Sequence, residues 1–95
     1  MSQVAVIGAG LIGRAWAIVF ARAGWEVALH DAVPETLAAA LDLVSAGLDE
    51  LGSWGLIADP DAATRRVRLV GDLAQAIAGA HLVQENVPET LSGLL

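Results

Sequence analysis

The chain has 95 residues, no cysteine and a formal net charge of −6, with a pI near 4.5, and its length predicts one small domain over residues 1–95. The acidic balance argues against nucleic acid and anionic membrane surfaces as partners, because both attract basic patches, and no apolar run is long enough to span a membrane. The absence of cysteine excludes disulfides and thiolate metal sites and fits the cytoplasmic location that we expect, since no basic region precedes the apolar amino terminus as in a signal peptide.

The first predicted strand is a short run, Val4–Ile7, whose lack of alternation is typical of a parallel strand buried on both faces. A glycine motif, Gly8-Ala9-Gly10-Leu11-Ile12-Gly13, follows it directly. Helical spacing then predicts the first helix over Leu11–Ala23. One face of this helix is apolar at helical spacing and consists of Ile12, Ala15, Trp16, Val19 and Ala23.

The next elements predict a second strand and a long helix. Gly24 ends the first helix, and Glu26–His30 predict a strand that is followed at once by an acid, Asp31. Pro34 suits a first helical position and predicts a helix to about Leu51. Gly52-Ser53-Trp54-Gly55 predict a loop, whose tryptophan is either a lid or a partly buried anchor.

A short helix and a third strand come next. Asp59 as the cap and Pro60 as the first residue predict a helix that ends near Arg66. Val67–Val70 predict the third strand. The arginines around it predict a solvent-exposed face: Arg65, Arg66 and Arg68.

The last elements complete an alternating pattern. Asp72 caps a predicted helix over Leu73–Ala78, His81–Glu85 predict the fourth strand, and Pro88 is suited to open another helix. The order β-α-β-α-α-β-α-β is typical of the α/β class. It predicts a Rossmann-type, doubly wound parallel sheet of about four strands with helices on both faces.

The glycine motif predicts a dinucleotide-binding turn because it lies between a strand and a helix, with an acid about 20 residues further on. Gly8 allows the tight turn, Gly10 lets the backbone approach phosphates because it has no Cβ, and Gly13 lets the helix pack against the strand. The free N–H groups around Leu11 and Ile12 would meet the anion at the positive end of the helix dipole. The alternative is that these glycines only make a tight turn.

Asp31 would end the second strand at the same edge of the sheet as the glycine motif. Its carboxylate can accept hydrogen bonds from both hydroxyls of the adenosine ribose, and it would repel a 2′-phosphate. No basic residue follows it directly, because the next three residues are Ala32, Val33 and Pro34. The sequence therefore predicts NAD as the cofactor in preference to NADP.

Two segments carry a resemblance to a known family. They are Val-Ile-Gly-Ala-Gly-Leu-Ile-Gly-Arg-Ala-Trp-Ala, residues 6–17, and Val-Gln-Glu-Asn-Val-Pro-Glu, residues 83–89. Together they resemble the NAD-binding domain of the 3-hydroxyacyl-CoA dehydrogenase family, especially its lambda-crystallin and L-gulonate 3-dehydrogenase branch. The similarity extends over essentially the whole chain, but the family usually has a lysine where this chain has Leu94.

The resemblance implies an oxidoreductase that transfers a hydride between NAD and the 3-hydroxy group of a 3-hydroxyacyl-CoA or a related 3-hydroxy acid. It implies that Asn86 and Val87 line the nicotinamide side of the cofactor and that Glu89 lies near the nicotinamide ribose. In the family, a catalytic His–Glu pair and a helical domain that completes the substrate cleft and the homodimer come later in the chain. We therefore expect this chain to be the amino-terminal part of such a domain and to be inactive alone.

No catalytic residue is predicted within the chain. His81 would lie at the far end of the sheet, and His30 is interpreted as a packed or solvated side chain, with an adenine contact as the alternative. Glu85 and Glu89 are interpreted as helix-capping or ribose-binding groups, with acid–base chemistry as the alternative. Three rival functions stay open: a nucleotide-sensing Rossmann module, a structural role, and a different hydroxy-acid dehydrogenase.

Overall fold

The computed structural model describes residues 2–86, which form a four-stranded parallel sheet. The strands are β1 (Gln3–Ile7), β2 (Glu26–His30), β3 (Val67–Leu69) and β4 (Leu82–Glu85), and they lie in the order β3-β2-β1-β4. The strand order reverses beside β1, which pairs with β2 on one side and β4 on the other. In open α/β sheets such a reversal leaves a crevice at the carboxyl ends of the strands, where ligands bind. The predicted Rossmann-type fold is confirmed.

The helices are α1 (Leu11–Arg22), α2 (Pro34–Ser53), α3 (Pro60–Arg65) and α4 (Leu73–Ile77). Their order matches the prediction, but α2 continues through Gly52 and Ser53, which were predicted to lie in a loop. Gly52 faces Pro60, where a Cβ would lie only 2.4 Å from the proline Cγ, so α2 and α3 pack closely at this point. The chain turns only at Gly55, whose φ of 74° is in the left-handed region.

The central strands β1 and β2 are buried on both faces, as the unbroken apolar run of the first strand predicted, whereas β4 is largely exposed. Successive side chains of a strand point to opposite faces. Val4 and Val6 face α1 and α2 in the larger core cluster, which also contains Leu29 and Leu48. On the other face, α4 covers a smaller cluster of Ala28, Val70 and Ala76, with Ile7 packed against it.

The apolar face of α1 that the spacing identified is not the face that the helix buries. The buried residues of this helix are Gly13, Ala17 and Ala21. Trp16 and Val19 keep 38% and 48% of their surface exposed. The reason is steric: small residues let the helix axis approach the sheet closely, and the large apolar side chains lie on the far side. They form an open apolar surface, the α1 patch, made of Leu11, Ile12, Ala15, Trp16 and Val19.

Arg66 also departs from the prediction of a solvent-exposed face. Its Nη1 donates a hydrogen bond to the carbonyl oxygen of Ala21 over 2.8 Å, and the side chain is half-buried. A cation is favoured there because the last carbonyls of a helix carry the negative end of its dipole. Across residues 2–86, no helix is both long and apolar enough to cross a membrane.

Candidate dinucleotide-binding site

The turn that follows β1 is joined to both neighbouring strands. The N–H of Gly8 donates to the carbonyl oxygen of His30 at the end of β2, over 2.7 Å. The N–H of Asn86, directly after β4, donates to the carbonyl oxygen of Ile7 over 3.0 Å. The glycine motif therefore begins at the point where three strands end together.

Each glycine of the motif lies where a side chain would disturb the conformation of this turn, the packing of α1 against it, or the access of a ligand to its backbone. Gly8 has a φ of 100°, a conformation that other residues rarely adopt. A Cβ on Gly13 would lie 1.6 Å from the carbonyl oxygen of Gly8, so only glycine lets α1 pack this close to the turn. A Cβ on Gly10 would have no atom within 4 Å and would project into open space. That space is where a pyrophosphate can approach the backbone.

The amino-terminal end of α1 offers free backbone donors. The first hydrogen bond of the helix runs from the N–H of Arg14 to the carbonyl oxygen of Gly10, over 2.9 Å. The preceding N–H groups have no intrahelical acceptor, as in any α-helix. Gly10 has no side chain to cap them, and the first turn contains no acidic residue. An anion would therefore find both unpaired donors and the positive end of the helix dipole here.

Asp31 lies directly after β2 and contacts the glycine turn. Its Oδ2 accepts a hydrogen bond from the N–H of Ala9 over 2.8 Å, and its Oδ1 accepts one from the N–H of Val33 over 2.8 Å. The carboxylate is therefore fixed at the same edge of the sheet as the glycine turn. Because each carboxylate oxygen has two lone pairs, both oxygens can still accept a ribose hydroxyl.

Arg14 also contacts the turn, and the sequence reasoning did not single it out. Its Nη1 donates to the carbonyl oxygen of Ala9 over 3.1 Å, and the side chain is half-buried. Both backbone polar groups of Ala9 are therefore hydrogen-bonded. Its N–H donates to Asp31, and its carbonyl oxygen accepts from Arg14. The available signal was a cation in the first turn of a helix, a position that the dipole disfavours.

The side chain of Asn86 hydrogen-bonds to the beginning of the same turn. Its Nδ2 donates to the carbonyl oxygens of Ile7 over 2.9 Å and Gly8 over 3.4 Å. These bonds connect the end of β4 to the turn. The sequence analysis expected Asn86 to line the nicotinamide side of the cofactor and did not predict these bonds. The predicted cofactor residues Val87 and Glu89 lie outside the described part of the chain.

The two histidines make structural hydrogen bonds. His30 is buried, and its Nδ1 donates to the carbonyl oxygen of Val70, which lies 2.8 Å away. The Nδ1 of His81 accepts from the N–H of Gln3 over 3.0 Å, at the amino-terminal end of the sheet. Within residues 2–86, no group of histidine, aspartate or glutamate side chains is arranged to hold a metal ion.

The fold and the turn together define a dinucleotide-binding domain of the Rossmann class. Comparison with protein families shows to which family of such domains the chain belongs. The family model described as "3-hydroxyacyl-CoA dehydrogenase, NAD binding domain" matches residues 3–93. The chain therefore belongs to the 3-hydroxyacyl-CoA dehydrogenase family, and the cofactor of this domain is NAD.

Curated relatives cover nearly the whole chain. The lambda-crystallin homolog of Mus musculus is 37% identical over 91 residues, which are 93% of this chain and 28% of that protein. The L-carnitine dehydrogenase of Streptomyces coelicolor is 38% identical over 89 residues, which are 94% of this chain and 27% of that enzyme. The chain thus spans little more than a quarter of the length of these relatives.

Solved structures agree with the family. The 3-hydroxybutyryl-CoA dehydrogenase of Escherichia coli K12 matches 96% of this chain with 20% of its own, at a TM-score of 0.82 and 34% identity. FadB2 of M. tuberculosis matches 95% of this chain with 32% of its own, at a TM-score of 0.84 and 29% identity.

Proposed function

We propose that this chain holds the adenosine and pyrophosphate half of NAD for an oxidoreductase that acts on a 3-hydroxyacyl-CoA or a related 3-hydroxy acid. One observation carries the cofactor-binding part of this proposal, and the family resemblance supports the substrate class. The carboxylate of Asp31 is bonded to the N–H of Ala9, one residue before the motif's central glycine. An acceptor for ribose hydroxyls and a set of free donors for phosphate therefore lie next to each other.

The residues of the chain would bind and orient the cofactor. Gly10 would leave room for the pyrophosphate, and the N–H groups of Leu11, Ile12 and Gly13 would donate to its oxygens. Asp31 would accept from the two ribose hydroxyls. When bound, NAD supplies the hydride acceptor or donor, while this chain's residues set the position of the dinucleotide. On the resemblance, Asn86, Val87 and Glu89 would lie toward the nicotinamide side.

We further propose a preference for NAD over NADP. The Asp31 carboxylate is fixed by two backbone N–H groups, so it cannot easily turn away from a 2′-phosphate. The 2′-phosphate would meet a negative charge at short range, and the three residues after Asp31 carry no compensating cation.

The chemistry itself would need groups beyond this chain. Relatives are more than three times as long, and the family resemblance implies a catalytic His–Glu pair and a homodimer there. We therefore expect no turnover from the 95 residues alone. Cytoplasmic location stays a prediction, and a role in fatty acid metabolism is proposed here because it would follow from an acyl-CoA substrate.

The substrate class has a second candidate. One relative is named for L-carnitine and another, from Mesorhizobium japonicum, for a pyridine carboxylate, and neither name includes a CoA thioester. The L-carnitine name favours a free hydroxy acid as the alternative substrate, whereas the name of the pyridine carboxylate enzyme places its reaction at a formyl group. Following NAD reduction by the full-length protein with each class of substrate would separate the two candidates. A longer protein that binds NAD but reduces it with neither class would favour a nucleotide-sensing module.

Calorimetric titration with NAD and NADP tests the cofactor site. The wild-type chain is expected to bind NAD more tightly than NADP, and Asp31→Ala is expected to lose that preference. Asp59→Ala is the matched control, because it removes the same charge and one bond to a backbone N–H at the start of α3. A wild-type chain that binds neither nucleotide would contradict the proposal, and so would an Asp31→Ala variant with an unchanged preference.

A further inference from the structure

We propose that Arg14 is a cofactor-binding residue whose guanidinium pairs with the pyrophosphate, a role that rests on the proposed function. Nothing in the glycine motif itself requires a cation at this position. Four observations support the assignment: the direction of the side chain, its remaining donors, the charge balance at the helix end, and its link to Asp31.

The side chain of Arg14 runs toward the turn. Helical side chains lean toward the amino-terminal end of their helix, so a long side chain in the first turn reaches beyond that end. Here Nη1 lies 3.1 Å from the carbonyl oxygen of Ala9. The guanidinium is therefore held at the turn that precedes α1, and the side chain is half-buried.

The bond to Ala9 leaves most of the guanidinium available. An arginine has five N–H donors in a planar fork, and the carbonyl oxygen of Ala9 takes one of them. The remaining donors have a geometry that suits phosphate oxygens, which arginine commonly binds with two parallel hydrogen bonds. The anchor at Ala9 reduces the side-chain entropy that would be lost on binding.

Charge at the end of α1 points to an anion as the ligand. Positive charge is unfavourable at a helix amino terminus, because it adds to the positive end of the dipole. The first turn of α1 nevertheless contains an arginine and no acid, in a chain whose net charge is −6. A bound pyrophosphate would reverse the sign of this interaction, since the guanidinium and the dipole would then act on the same anion.

Arg14 and Asp31 act on the same residue. Asp31 accepts a hydrogen bond from the N–H of Ala9, and Arg14 donates one to the carbonyl oxygen of Ala9. Asp31 places a negative charge close to the expected position of the phosphates, which disfavours an anionic cofactor. A cation fixed to the same residue offsets that repulsion while leaving Asp31 free to bind the ribose.

The test separates phosphate binding from a structural role by comparing two ligands. NMR titrations would measure the affinity of the chain for ADP and for adenosine, with wild type, Arg14→Gln, Arg14→Lys and Arg22→Gln. Arg22 is the matched control, because it lies in the last turn of the same helix. We expect Arg14→Gln to weaken ADP binding about tenfold or more, from the loss of a charge-assisted hydrogen bond, with adenosine unchanged.

Arg14→Lys keeps the charge and is expected to bind ADP more tightly than Arg14→Gln. Added salt should weaken ADP binding more in wild type than in Arg14→Gln. The proposal is overturned if Arg14→Gln binds ADP like wild type, if it loses adenosine and ADP equally, or if the Lys and Gln variants are equal. A wild-type chain that binds neither ADP nor NAD would instead refute the proposed function. If Arg14→Gln does not fold, Arg14→Met takes its place, because it removes the charge and keeps an unbranched apolar stem, and the same outcomes for ADP and adenosine support or overturn the proposal.

Discussion

Replacing Gly10 by alanine separates cofactor binding from folding more cleanly than any other change in the glycine motif. At Gly10 the backbone has φ −72° and ψ −166°, which alanine adopts without strain. A Cβ there would have no protein atom within 4 Å. The methyl group would therefore occupy only the space through which phosphate approaches the backbone.

The expected magnitudes differ for the two properties. Alanine caps a helix less well than glycine, by at most about 1 kcal/mol, and it stabilises by about 0.4–1 kcal/mol through lower entropy of the unfolded chain. These effects nearly cancel, so the free energy of unfolding should change little. Binding should suffer more, because losing one charge-assisted hydrogen bond to phosphate costs about 1.5–3 kcal/mol, or roughly ten- to 150-fold in Kd.

Gly13→Ala provides the contrast. Its Cβ would lie 1.6 Å from the carbonyl oxygen of Gly8, so α1 must move and the variant should lose stability together with NAD binding. Urea denaturation and calorimetry with NAD measure both properties for each variant. The reasoning is refuted if Gly10→Ala binds NAD as well as wild type does, or if Gly13→Ala is as stable as wild type.

Three further changes test other parts of the structure. Asn86→Asp should weaken NAD binding and lower the unfolding free energy, because a carboxylate would face the carbonyl oxygens of Ile7 and Gly8; unchanged calorimetry and denaturation would count against it. Asp59→Ala should cost about 1 kcal/mol in urea denaturation, through the lost cap of α3, without altering NAD affinity. The isolated chain should self-associate through the α1 patch, and Trp16→Gln should reduce this in sedimentation velocity; a concentration-independent wild-type monomer would contradict it.

The local chemistry of the chain was readable from the sequence. Caps and turns depend on residues a few positions apart, so Asp59, Asp72 and Gly24 marked element ends correctly. The end of α2 was misplaced because the contact of Gly52 with Pro60 joins two helices, and no local pattern records it.

The sequence alone determined the alternation of strands and helices, the glycine turn between them and the presence of an acid after β2. Those features depend on backbone conformation and periodicity, which neighbouring residues set. Only the tertiary structure decided which face of α1 is buried, since periodicity cannot show whether an apolar stripe meets the sheet or remains at the surface. It also decided that Asp31 and Asn86 hold the turn, because these bonds join residues 22 and 79 positions apart and form only when the strands lie side by side.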